Sequence, residues 1–186
     1  MGNDMTVSIH QPNFVPWYPY FQKIAQADVH VILAHCQFEK NNYQNRFNHA
    51  DQWYTMSVVK SRLHTMIKEK QYSDPHNDWS KIRARFLGLR IFDDCIGNSL
   101  CNTNSMIIRK ACDKLGILTT IVRDERVDAY GSKRLLEICK SFNATHYLAG
   151  ITSKKYMDFD IFKNAGIEVV IQDESKMIRK ALVDMI

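Results

Sequence analysis

The chain has no apolar run approaching the roughly 20 residues that a membrane-spanning helix needs. Residues 1–6 carry no basic stretch leading into an apolar one, so no secretory leader is expected and the protein is expected to be cytoplasmic. No CxxC pair occurs among its five cysteines, which are odd in number and widely spaced. That excludes a disulfide framework and a paired-cysteine zinc site, and it leaves reduced thiols as the reading. His30, His49, His64, His76 and His146 lack metal-ligand spacing, so no metal and no cofactor is expected. No five-residue block of Lys and Arg appears, although the net charge is +5. A small anionic ligand therefore ranks above nucleic acid as a partner. Internal repeats and low-complexity linkers are missing too, and 186 residues suit one domain with one substantial core.

What is present alternates. TVSIH at Thr6–His10 is short and rich in β-branched residues, as strands are. Pro12 and Pro16 punctuate the loop after it, and Pro19 suits the first turn of a helix over Trp17–Ala27. Val29–Ala34 is a continuous apolar run, expected to be a strand buried on both faces. Gln37–Asp51 is polar and expected to be a loop, and Gln52–Val58 alternates as a strand does. Helical spacing covers Asp78–Leu89, Ser99–Leu115 (stopped by Gly116), Ser132–Phe142, Ser153–Asn164 and Ser175–Met185. Leu118–Arg123, His146–Ala149 and Glu168–Gln172 read as strands. This order predicts an α/β fold, Rossmann-like and three-layered, with a mostly parallel sheet.

Ligands of such sheets bind beyond the carboxyl ends of the strands, which selects three segments. In the first, His10, Gln11 and Asn13 offer donors and acceptors, while Trp17 and Tyr20 offer faces for a base or sugar. The free N–H groups of the following helix suit a phosphate. A proline-braced turn with aromatics filling the core explains the same residues equally well. In the second, His35 stands beside Cys36, but neighbours on extended backbone point to opposite sides, so they make a poor nucleophile–base pair. Gln37, Asn45 and Arg46 follow, and Arg46 can hold a phosphate or carboxylate bidentately. In the third, Gly150 permits close approach, Thr152 or Ser153 can cap a helix, and Lys154 and Tyr156 add a charge and a ring. A plain capped helix and a solvated arginine are the structural alternatives.

The stretches SIHQPNFVPWYPYFQKIAQADVHVIL, QFEKNNYQNR and RLLEICKSFNATHYLAGITSKKYMDFDIFKNAGIEV resemble, in that order, the WbqC-like family. The opening HQPxxxPW is the most specific part. The resemblance implies a role in building or modifying a bacterial surface polysaccharide such as O-antigen or capsule. It carries family positions onto His10, Gln11, Pro12, Trp17, Tyr20, Gln37, Phe38, Asn45, Arg46, Gly150 and Tyr156. Pro19 stands where the family usually has glycine, and Ala34-His35 where it usually has aspartate, which makes His35 a candidate substitute for that acid. The chain also ends sooner after Gln172 than relatives usually do. A more distant echo is the nucleotidyltransferase HxGH site, for which Trp17-Tyr18-Pro19-Tyr20 would stand without either histidine; it bears on a HUP-type fold alone.

Three functions follow as expectations. The first is a transferase acting on an activated anionic small molecule, a nucleotide-linked sugar or an acyl or aminoacyl donor, with His10 as general base and Arg46 and Lys154 on phosphate. The second is a non-catalytic module presenting a nucleotide-sugar or a partner enzyme. The third is an RNA-binding aminoacyl transferase that uses transfer RNA.

Overall fold

A computed structural model describes residues 4–186; the first three residues, part of the stretch read above for a leader, lie outside it. Five strands form one parallel sheet: β1 (Thr6–His10), β2 (Val29–Ile32), β5 (Thr120–Arg123), β6 (His146–Ala149) and β7 (Glu168–Ile171). Their spatial order is β5-β2-β1-β6-β7. The chain moves outward from β1 through β2 to β5, then returns across β1 to β6 and β7. The order thus reverses at β1, between its neighbours β2 and β6, as in a Rossmann-like fold.

Alternation along β1 sorts its side chains onto two faces. Val7 and Ile9 pack with Val31, Tyr147, Leu136, Cys139 and Phe162, beneath α4 (Gly131–Ser141) and α5 (Phe159–Asn164). Ser8 and His10 face the other side, where α1 (Tyr18–Ala25) lies. Phe21 and Ile24 of α1 join a second core with α2 (Pro75–Arg83) and α3 (Leu100–Lys114). The three layers follow from these two apolar clusters, one on each face of the sheet. Cys112 and Cys139 are buried in them, as their apolar neighbours in sequence imply.

The long connection from β2 to β5 carries an antiparallel hairpin, β3 (Arg46–His49) with β4 (Gln52–Thr55). This corrects the reading of residues 37–51 as loop throughout. Phe47 alone is fully buried on β3, so a half-solvated strand of sequence RFNH lacks an apolar signal. Its inner face stacks Phe47 on Tyr54, with ring centroids 5.2 Å apart, and Phe86 closes over both.

Three expected helices also change. The 78–89 stretch begins earlier, at Pro75, and continues after Arg83 as a 3₁₀ segment over Leu87–Cys95. The 153–164 stretch divides into a 3₁₀ turn, Ile151–Lys155, and the shorter α5. Asp158 caps α5, accepting from Asp160 N at 3.2 Å, whereas the Ser153 hydroxyl turns back to the Gly150 carbonyl. Residues 175–185 form no α-helix; 3₁₀ turns at Glu174–Lys176 and Leu182–Asp184 flank an extended piece. That piece lies along α1: Tyr18 N donates to Lys180 O, and Ile178 N to Gln22 Oε1, both at 2.8 Å. Hydrogen bonds to another element replace those a helix would make internally.

Candidate functional site

Four segments converge at the carboxyl edge of β1, β2 and β5. Leu33 N donates to His10 O and Asp124 N to Ile32 O, so the ladder runs to the last residue of each strand. Beyond it, Gln11 extends toward the 33–46 segment. Gln44 Nε2 donates to Gln11 Oε1 at 2.7 Å, and Phe14 N to Tyr43 O at 2.8 Å. Asn104, buried on α3, holds this junction from below, donating to Pro12 O at 2.8 Å and Gln44 O at 2.7 Å. The Tyr72 hydroxyl completes Asn104 by donating to its Oδ1 at 2.7 Å.

His10 lies above a buried polar seam. Its Nδ1 donates to Gln11 O at 3.0 Å, and the Tyr20 hydroxyl donates to the same carbonyl at 3.0 Å. The rings of His10 and Tyr20 meet edge-on, with centroids 4.8 Å apart. Below Tyr20, His30 joins its Nε2 to the hydroxyl at 3.4 Å and its Nδ1 to Ser8 Oγ at 2.8 Å. Burial first, and then the Lys23 ammonium, push the His10 imidazole down to about 3, against a smaller upward pull from the Gln11 carbonyl. The ring is neutral at physiological pH, and its basicity is far below that of an ordinary histidine.

His35 stands differently. Asp124, one residue past β5, receives Ala34 N at 2.7 Å and His35 Nδ1 at 3.2 Å on Oδ1, and His35 N at 3.2 Å on Oδ2. Arg134 of α4 grips the other end of the same residue, donating from Nη1 to His35 O and from Nη2 to Val127 O. The adjacent Cys36 has its thiol pushed up to about 12, chiefly by burial. It is therefore no thiolate nucleophile at neutral pH.

The other expected residues go elsewhere. Tyr20 is 3% exposed and fills the core, so it offers no open face, while Trp17 is 47% exposed at the start of α1. Asn13 is buried. Asn45 is locked to Met56, its Nδ2 donating to Met56 O and its own carbonyl accepting from Met56 N, both at 2.8 Å. Arg46 lies over the Trp53 ring at 4.0 Å and donates to Asn41 O. Gln37 turns to His64, 3.0 Å away. Lys154 and Tyr156 are exposed on the turn after β6. Gly150 has φ −73°, and a Cβ there would meet nothing within 4 Å, so no glycine is required by the backbone. The structure thus gathers His10, Gln11 and His35; Gly150 follows β6, the strand paired with β1, while Lys154 and Tyr156 are exposed beyond it and Arg46 is taken up on the hairpin.

Asp124 and Arg134 are the residues that the sequence reading passed over. The strand-end rule applied to Leu118–Arg123 points straight at Asp124, the next residue. Arg134 carries no signal, because it reads as one more cation in the first turns of an amphipathic helix. Among the described residues no three His, Cys, Asp or Glu side chains converge as metal ligands do. No helix among the described residues is long and apolar enough to cross a membrane.

A model of the WbqC-like protein family matches residues 11–179, which includes the segments of this edge from Gln11 onward and leaves His10 just outside. The chain belongs to the WbqC-like family. A relative from Mycobacterium tuberculosis, the uncharacterized protein Rv1507c, is 28% identical over 88% of this chain and 80% of its own length. No solved structure matches. In this WbqC-like protein the family match begins at Gln11, the residue whose amide joins the first loop to the 33–46 segment.

Proposed function

We propose that this WbqC-like protein is a transferase of bacterial surface-polysaccharide biosynthesis, acting on an activated anionic small molecule. The donor is a nucleotide-linked sugar or an acyl or aminoacyl carrier, bound at the carboxyl edge of β1, β2 and β5. The surface-glycan setting is what the family resemblance implies. The observation that carries the reading is the gathering of His10, Gln11, His35, Asp124 and Arg134 at one edge of a parallel sheet. Amides, an imidazole, a carboxylate and a guanidinium there can orient a substrate and move a proton.

A thermal-shift screen with nucleotide-sugars and acyl and aminoacyl donors tests it. A ligand at a hundred times its Kd stabilises the folded state by about 2.7 kcal/mol. In a domain of this size that is a rise of roughly 5–10 °C. A flat response to every donor class at millimolar concentration removes the reading.

A binding module that presents the same donor is the second reading. The depression of His10 to about 3 favours it, since the residue opening the most specific motif is then a poor base. Turnover of any donor excludes it.

A further inference from the structure

We propose that His35 is the proton acceptor of this edge and that Asp124 is its positioning residue, fixing the imidazole with Nδ1 protonated and Nε2 free. The inference rests on the transferase reading for its chemistry, but the arrangement itself is testable without any donor.

The tautomer follows from the partners. An ionised carboxylate has acceptors and no donors. Asp124 Oδ1 lies 3.2 Å from His35 Nδ1, so the hydrogen of that contact belongs to the ring. A neutral imidazole then carries its lone pair on Nε2. No described residue hydrogen-bonds His35 Nε2. The Asp124 side chain is 0% exposed and that of His35 is 14% exposed, so the pair runs from a buried carboxylate to a ring that reaches solvent.

The carboxylate is held independently of the ring. Ala34 N and His35 N both donate to it, and these two amides aim its oxygens before the imidazole is considered. Arg134 fixes the His35 carbonyl from the opposite side. His35 is thus braced at its amide, its carbonyl and its ring. By the resemblance, an acid is usual at the Ala34-His35 position. Here Asp124, the residue after β5, supplies a carboxylate to the amides of these two residues.

The alternatives nearby are weaker. His10 spends its Nδ1 hydrogen on a carbonyl and has Lys23, a cation, as its electrostatic neighbour rather than a carboxylate. Cys36 keeps its proton.

In the step this supports, the acceptor's O–H or N–H proton passes to His35 Nε2. The freed electron pair forms a bond to the electrophilic carbon of the donor. The bond from that carbon to its phosphate or thiolate leaving group breaks, and the leaving group takes the electron pair. The imidazolium so formed faces the Asp124 carboxylate, which stabilises it. It returns its proton to the leaving group or to solvent.

The test begins with nitrogen-15 NMR of the histidine rings in the full chain, without ligand. His35 is expected as the Nδ1–H tautomer. Asp124→Asn is expected to change this, because an amide oxygen cannot serve three N–H donors and its NH2 group opposes them. An Nε2–H tautomer in the wild type, or an unchanged His35 signature in Asp124→Asn, overturns the assignment. The second arm uses UDP-N-acetylglucosamine and acetyl-coenzyme A as donor probes. With whichever turns over, His35→Gln is expected to keep the ligand-induced thermal shift and lose 10²–10⁴-fold in kcat, as is typical for loss of a general base. Full kcat in that variant overturns the role of His35. Absence of turnover with the expected tautomer overturns the proton-acceptor role and removes the transferase reading for these probes, while the Asp124 positioning stands. Thermal shifts without turnover then point to the binding-module reading.

Discussion

Lys23 Nζ donates to the Ile9 carbonyl oxygen at 3.0 Å, inside a helix–sheet interface that leaves the residue 2% exposed. Among the described residues no carboxylate answers this charge, and burial pushes the ammonium down to about 7. The unfolded chain holds the same proton up to about 10.5. Between those two values the unfolded state binds more protons, so stability rises with pH through that window. Lys23→Met is expected to raise the melting temperature at pH 7 by several degrees and to flatten its rise between pH 7 and 10.5. Scanning calorimetry across that range reads both effects. A melting temperature that falls on substitution, with the slope kept, rules out an ammonium lowered by burial at Lys23.

Acid should act in the same direction through His10. Its folded value of about 3 lies below the ordinary 6.5, so the stabilising difference is full above 6.5 and is lost as pH falls toward 3. His30 is pushed well below its ordinary value too, first by burial and then by Lys23. Urea midpoints measured from pH 7 down to pH 4 are expected to fall, and to fall less in His10→Gln. Equal slopes in the two proteins would contradict the assignment.

Asn104→Leu tests the junction below the first loop. The substitution leaves Pro12 O, Gln44 O and the Tyr72 hydroxyl without their buried partner. Each unsatisfied group costs about 1–3 kcal/mol, so a total loss of roughly 3 kcal/mol or more is expected in denaturant unfolding. A change below 1 kcal/mol would show that water serves these groups equally well.

Cys36 offers a chemical check. With its thiol pushed from 9.0 to about 12, the thiolate fraction near neutrality falls about a thousandfold. Iodoacetamide at pH 8 is expected to leave Cys36 unmodified over hours in the native protein and to label it rapidly in urea. Peptide mass mapping distinguishes the two. Fast native labelling at Cys36 would return it to the list of nucleophiles.

Much of the frame was legible, and the reasons are local. Thr6–His10 and His146–Ala149 are bounded as expected, because apolar runs end there at Gln11-Pro12 and Gly150. Gly116, at φ 69°, does stop the helix before it. The hairpin was not legible, since one buried side chain in RFNH leaves too little pattern to read. Residues 175–185 differ for the opposite reason: their apolar spacing suits a helix, but Tyr18 and Gln22 of α1 tie the segment extended along that helix. At the site, His10, Gln11 and His35 could be found from strand ends. Asp124 follows a strand end and could be found the same way, but its pairing with His35 could not, nor could Lys23 and Arg134, because these partners lie 89, 13 and 99 residues from the groups they act on and no single-sequence pattern spans such distances.

The Asn104 junction has a consequence for how the chain is made. The amide that organises the Pro12 carbonyl is synthesised 92 residues after it. β6, which borders β1, follows later still, at His146–Ala149. At translation rates of about 5–20 residues per second, the opening HQP segment waits roughly 7–27 seconds for both. The HQP segment is thus emitted well before the residues that fix its shape. During that interval β1 has only one of its two neighbouring strands and α1 lacks α3, which is the period in which a chaperone would have something to hold.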